Sequence, residues 1–427
     1  MVWATVALLL VILAIGIPVA AGLVLLGLAL DYGYSFLPLR LALGEITWST
    51  STNFILFAIP LFVLLGEILL RSGIAERMYS AMKHWLAWLP GGLMHSNIGT
   101  CTLFAAVSGS SVATAATIGT VAVEQIDKYG YNERLYLGTI AAGGTLGILI
   151  PPSIPMIVYG ALTDTSIPQL YIAGIIPGLV LALLFIVTVL VACLLRPAWG
   201  GRKPQSGWSE RIASLRDLVP PLGIFVVVIG SIYSGIATPT ESAALGVVAA
   251  FVLAAMRRRL SWRMLREICE GTMQTPAMIM AILIAAYFVN FVITSIGLSG
   301  KVTGYVTGLG LSPISTMVVI VLFYLVLGMF MESLSMLVAT VPIITPAVMA
   351  LGFDPVWFGV MMMLLLETAL ITPPVGFNLF VVQAVRTRGR IYDVIVGSLP
   401  FVATLMVMIA LLIAFPQIAL WLPKKLS

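Results

Sequence analysis

The 427-residue sequence predicts an all-α polytopic membrane protein made of two inverted repeats, each with a re-entrant hairpin and a broken helix. Three observations lead there. The chain is 60% hydrophobic and 9% charged, with a mean hydropathy of +1.11, too apolar for a domain whose surface faces water. Apolar stretches of bilayer length, about 20 residues each, recur along the whole chain. Two of the longest are interrupted by small polar residues, and the interruptions recur at a fixed spacing.

Taken in order, full crossings are expected near 3–30, 53–71, 134–162, 170–195, 216–236, 240–256, 271–296, 355–385 and 391–416. The first is too long for the core of a signal peptide and has no basic leader, so it reads as a retained helix. Stretches 92–126 and 313–350 are broken at Ser108-Gly109-Ser110-Ser111 and at Glu332-Ser333-Leu334-Ser335, and each reads as two half-helices that enter and leave on one side. Residues 74–89 set Arg77, Lys83 and His84 among Met78, Met82, Trp85 and Trp88, the pattern of an amphipathic helix at the membrane interface. The polar run 197–210 reads as the linker between halves. The expected domains are an N-terminal frame with an arm (1–91), a first hairpin and broken helix (92–169), frame helices with a linker near 197–215 (170–312), a second hairpin and broken helix (313–390), and a C-terminal frame helix (391–427).

Lysine and arginine placement orients this layout, because inward-facing loops are enriched in them. With the N-terminus in the cytoplasm and the C-terminus outside, eighteen of the 22 basic residues fall on the inner side, and only Arg40, Lys301, Lys424 and Lys425 lie outside. Short basic loops beside lipid head groups account for the net charge of +5 better than nucleic acid does. Cys101, Cys193 and Cys269 are too scattered for a disulfide framework or a metal quartet, and His84 and His95 are too few and too far apart for a metal or haem site.

Pro151-Pro152 and Pro373-Pro374 lie 222 positions apart, and the same offset carries Ser111 onto Ser333. Gly174 and Pro177 match Gly397 and Pro400 at 223, and Gly73 matches Gly297 at 224. Five crossings between matching points give the repeats opposite orientations. The run Gly143-Gly144-Thr145-Leu146-Gly147-Ile148-Leu149-Ile150-Pro151-Pro152-Ser153 should unwind its helix and expose carbonyl oxygens towards the serines of the first tip. That all-oxygen setting suits a small hard cation such as sodium. The second half repeats it at 368–376, where Thr372, Pro373, Pro374 and Gly376 face Ser333 and Ser335. Half-helix N-termini at the tips suit an anionic cargo, with Ser110, Ser111 and Ser153 as further hydrogen-bond donors. Glu332 at the second tip is an intramembrane acid expected to meet cargo or cation, whereas Glu367 reads equally well as structural, and Glu67 as the partner of Arg71.

At these residues the chain resembles the large membrane subunit of tripartite ATP-independent periplasmic (TRAP) transporters. The resemblance runs through Ala58-Ile59-Pro60-Leu61-Phe62, 108–115, 147–155, Ala173-Gly174-Ile175-Ile176-Pro177-Gly178 and 371–379, and spans nearly the full length. It implies sodium-coupled import of a small organic anion, a carboxylate or sulfonate, by an elevator movement in the bacterial inner membrane. It also implies two partners, a small four-helix membrane subunit and a periplasmic substrate-binding protein. Carried over residue by residue, one sodium ion falls to Ser108, Ser111, Gly144 and Pro151, a second to Ser333, Thr372 and Gly376, and cargo to Ser110, Ser153 and Glu332, where many relatives have Asp. No organic cofactor is implied. A stand-alone sodium and anion symporter of the same superfamily is the competing reading. A channel would need a sustained polar stripe, and a membrane enzyme a nucleophile–base or metal set; neither pattern stands out.

Overall fold

The computed structural model describes every residue except Lys203, Gln205, Leu309, Thr387 and Ser427, and leaves the side chains of Leu10, Leu13, Ala14, Val306 and Thr307 undescribed. Lys203, counted above among the inner basic residues, therefore lies outside the described residues. All regular structure in the described residues is helical. The chain opens with α1 (Val2–Ile15), α2 (Val19–Tyr34), α3 (Leu43–Ser51), α4 (Ala58–Arg71) and α5 (Ile74–Leu86). There follow α6 (Leu93–Ser108), α7 (Ser111–Ala122), α8 (Gln125–Tyr129), α9 (Glu133–Thr145), α10 (Ile154–Thr163) and α11 (Ile167–Leu195). Two connecting helices, α12 (Trp208–Tyr233) and α13 (Pro239–Met256), lead to α14 (Trp262–Ser295), α15 (Leu298–Gly308), α16 (Pro313–Gly328) and α17 (Ser333–Ala350). The chain closes with α18 (Pro355–Ile371), α19 (Phe377–Val385), α20 (Ile391–Ala414) and α21 (Gln417–Leu426).

Seven helices among the described residues are long and apolar enough to cross a membrane. Six coincide with expected crossings, and the outward face of α11 shows why they want lipid: Leu179, Leu183, Val187 and Val191 are exposed at four-residue spacing. The seventh, α17, was expected as half of a hairpin; it has a crossing's length, with Pro342 and Pro346 inside it. The other three expected crossings are each split. Stretch 3–30 is a correction to the sequence reading, because Gly16 takes φ +76 and Pro18 follows, a helix stop and restart that apolar length alone hides. Stretches 134–162 and 355–385 break where expected, after Thr145 and Ile371, and both proline pairs are cis.

The repeat survives in three dimensions. Gly73 (φ +74) and Gly297 (φ +70) take left-handed turns that lead into α5 and α15, so the arm helix has a counterpart that the glycine-rich sequence of α15 concealed. Pairs α6–α7 and α16–α17, broken helices α9–α10 and α18–α19, and long helices α11 and α20 then correspond, with Pro177 and Pro400 inside the last two. The amphipathic α5 buries Ile74, Ala75, Met78, Tyr79 and Ala81, packing on α6 and α12.

The two repeats are interleaved. Helix α20 lies along α9 so closely that a Cβ on Gly138 would run into the Gly397 carbonyl, and one on Gly397 into the Arg134 carbonyl. The basic loops share one end of the molecule. Arg77 Nη1 lies 3.3 Å from Asp217, Lys83 donates to the Tyr129 hydroxyl at 3.1 Å, and Arg134 Nε lies 3.0 Å from Asp393. Arg388 pairs with Asp127, Arg386 with Glu133, and Arg71 with Glu67 as expected.

Candidate functional site

The first break is built around the α6–α7 turn. Helix α6 ends at Ser108, Gly109 turns the chain with φ +62, and Ser110 caps α7 by accepting the Ala113 amide at 3.3 Å. From the first turn of α7, Ser111 Oγ donates to the Thr145 carbonyl at 3.0 Å, at the end of α9. Ser108 and Thr114 share a hydroxyl–hydroxyl bond of 3.1 Å. Beyond Thr145 the ladder tightens into three-residue turns, from Leu146 N on the Gly143 carbonyl to Leu149 N on the Leu146 carbonyl, and it stops at Pro151 and Pro152, which have no N–H. Ser153 restarts it as the cap of α10, accepting from Met156 N at 3.4 Å while its hydroxyl donates to the Ile148 carbonyl.

Only glycine lets these segments meet. A Cβ on Gly147 would lie 2.8 Å from the Ser110 carbonyl carbon, one on Gly109 2.7 Å from the Pro152 oxygen, and one on Gly144 2.6 Å from the Ala115 side chain. Ser108, Ser110, Ser111, Gly144, Pro151 and Ser153 thus all belong to one cluster around the α6–α7 turn and the 146–153 break. Neither Gly109 nor Gly147 stands out in the sequence as a site residue, although both fall within the quoted runs, because the opposing backbone that each must admit is not visible there.

The second break repeats the plan with different side chains. Ser333 Oγ donates to the Leu366 carbonyl at 3.3 Å, one position out of register with Ser111 on Thr145 and five residues before the end of α18. Glu332 stands where Ser110 stands in the first repeat and caps α17: its carboxylate accepts from Leu334 N at 3.0 Å, Ser335 N at 2.9 Å and Ser335 Oγ at 3.1 Å. Gly376, at φ +42, starts α19. Thr372 turns its hydroxyl back to the Thr368 carbonyl at 2.6 Å, and among the described residues no hydrogen bond joins Ser333 to Thr372 or Gly376. The second cluster is thus more loosely drawn together than the first.

Two groups lie where the clusters meet. Asn378 Nδ2 donates to the Ala141 carbonyl at 3.2 Å, bringing the start of α19 onto α9. Glu367, fully buried on α18, lies near the Leu149 backbone of the first break, and neither carboxylate oxygen has a hydrogen-bond partner among the described residues. Asn378 sits in the motif after the second proline pair, yet nothing in its neighbours pointed to α9. The donor set of the first cluster, hydroxyls and backbone carbonyls without a thiol or imidazole, matches what a hard monovalent cation takes.

The family model for the tripartite ATP-independent periplasmic transporter, DctM component, matches residues 6–418. The chain belongs to the DctM-component family of TRAP transporters. It is 36% identical over 383 residues to the C4-dicarboxylate TRAP transporter large permease protein DctM of Pseudomonas aeruginosa, covering 89% of this chain and 88% of that one. It is 34% identical over 375 residues to the sialic acid TRAP transporter large permease protein SiaM of Vibrio cholerae, covering 87% of each. Among solved structures, the Alcanivorax borkumensis YdaH transporter covers 90% of both chains with a TM-score of 0.57 at 16% identity, a likeness of fold. The sequence-derived assignment to the TRAP family and the all-α polytopic class therefore holds, and this DctM-family chain is a multi-pass membrane protein.

Proposed function

We propose that the chain is the large permease of a sodium-coupled importer for a small organic anion, a carboxylate or sulfonate, loaded by a periplasmic substrate-binding protein and working beside a small four-helix membrane subunit. The observation that carries this reading is the duplicated contact of a tip hydroxyl with a broken helix, Ser111 on Thr145 and Ser333 on Leu366. Sodium would be held by Ser108, Ser111, Gly144 and Pro151 in the first repeat and by Ser333, Thr372 and Gly376 in the second; when bound, it supplies the positive charge that an anion requires there. Ser110, Ser153 and Glu332 would face cargo. That relatives carry C4-dicarboxylates and sialic acid supports the organic-anion class.

The moving part of the elevator would comprise residues 92–169 and 313–390. The expected frame, 1–91, 170–312 and 391–427, gives up two helices to it in this proposal. A Cβ on Gly174 of α11 would lie 2.5 Å from the Leu149 carbonyl of the first break, and α20 is keyed to α9 at Gly138. Contacts this close favour α11 and α20 travelling with the broken helices. In the inner membrane the N-terminus would face the cytoplasm and the C-terminus the periplasm.

Reconstitution tests the reading. The chain with its small subunit and loaded binding protein should accumulate cargo in proteoliposomes only under an inward sodium gradient, and the chain alone should not. Equal uptake with sodium replaced by potassium would overturn the coupling, and strong uptake by the single chain would favour the stand-alone symporter.

A further inference from the structure

At the arginine-rich end, α5, α12 and the end of α13 enclose a groove of about 730 Å³. Four arginines line it, Arg77, Arg216, Arg257 and Arg258, beside apolar side chains such as Val219 and Met256. Asp217 is the acid that serves this cluster: it lies 3.3 Å from Arg77 and 4.0 Å from Arg257. Arg216 and Arg258 are exposed and have no ion-pair partner among the described residues. Four guanidinium groups therefore line one concave surface with a single carboxylate between them, which leaves an excess of positive charge that attracts an anion.

The position of the groove selects the kind of anion. The apolar run of α12 begins just after Asp217 and that of α13 ends at Met256, so the groove lies where both spans leave the hydrocarbon and enter the head-group layer. Its lining is half cationic and half apolar, which suits a head group with acyl chains attached better than a free, fully hydrated ion. Pro220 and Pro221 also lack N–H groups, so the carbonyls of Arg216 and Asp217 lose their usual helical donors at the same level. Those carbonyls are acceptors for a hydroxylated head group. The volume lies within the range of small-molecule sites.

We propose that this groove is a binding site for one anionic phospholipid of the phosphatidylglycerol type. The phosphodiester sits among Arg77, Arg216, Arg257 and Arg258, the head-group hydroxyls donate to the carbonyls freed by the two prolines, and an acyl chain runs along Val219 and Met256. Arg216 and Arg258 supply the unspent charge, and Asp217 keeps Arg77 and Arg257 in place when the site is empty.

Native mass spectrometry of the purified full chain tests this directly. Titrated with phosphatidylglycerol or phosphatidylcholine, the chain should retain one phosphatidylglycerol with clear preference. The double variant Arg216→Gln with Arg258→Gln leaves the Asp217 pairs intact and should bind it roughly twenty-five-fold more weakly, at about a fivefold loss per arginine near a membrane surface. Arg263→Gln with Arg266→Gln removes the same charge from exposed arginines on α14 that already pair with Glu267 and Glu270, and should bind as the parent does. Equal retention of the two lipids would overturn the proposal, as would an equal loss in the α14 variant. Full competition by inorganic phosphate would identify a free-anion site instead.

Discussion

Ser110 and Glu332 occupy matching places, each capping the helix after its turn, but one offers a neutral hydroxyl and the other a carboxylate with three donors already on it. The sequence made Glu332 visible as an acid within an apolar region; it did not show that the side chain is engaged in capping α17, since a cap is defined by backbone geometry and not by composition. The two roles separate on substitution. Glu332→Asp keeps a short acceptor and should keep both fold and uptake. Glu332→Gln should cost about 1 kcal/mol of stability, as caps typically do, and lower sodium-dependent uptake by tenfold or more while the protein still inserts. A loss of thermal stability with normal uptake in proteoliposomes would restrict Glu332 to capping. Glu367 and Asn378 mark the limit of reading residues alone. Both were plain in the sequence, yet their meaning lies in contacts with Leu149 and Ala141, more than 200 positions away.

At the scale of elements, the breaks were the most legible feature because their causes are local. Glycine and proline alter backbone freedom and hydrogen bonding wherever they stand, so runs such as Gly143–Ser153 announce an unwound segment without reference to any partner. The division at Gly16 and Pro18 obeys the same rule and was hidden only because apolar length was given precedence over a stop signal. Helices α3 and α15 escaped notice for the opposite reason, since their weak patterns acquire a face only when packed on neighbours, and α21, though amphipathic, is only ten residues long and falls short of a search by bilayer length. Close approach of the first break to its turn supplies a sharp test. Gly147→Val adds a branched side chain where even one carbon would press on the Ser110–Ser111 peptide, so it should reduce uptake at least tenfold. Gly223→Val, on α12 where nothing lies within 4 Å of an added carbon, should transport normally in the same assay.

For the whole molecule, composition and the recurrence of glycines, prolines and serines revealed a membrane protein with a repeat, whereas the fit of one repeat into the other required coordinates. The basic loops assigned to one side by counting do meet at one end, through pairs such as Arg388 with Asp127 and Arg77 with Asp217. Their orientation is testable in cells. With the three native cysteines replaced, a cysteine at Asp164 or Lys301 should react with an impermeant maleimide added outside, while one at Arg202 or Arg258 should react only after permeabilisation. The reverse pattern would invert the topology.

The meeting of Gly138 with Gly397 reaches further than packing. Each glycine is the floor of a trough that only the other repeat's backbone can fill, so neither half has a finished surface of its own. The shape of the fold is thus a clasp rather than two modules in tandem, and a change that widens either glycine would part the halves along the α9–α20 contact and not at either break. Selection on such a site acts through the fit of two distant stretches of chain, and the two positions are constrained together even though each lies on an unbroken turn of its own helix.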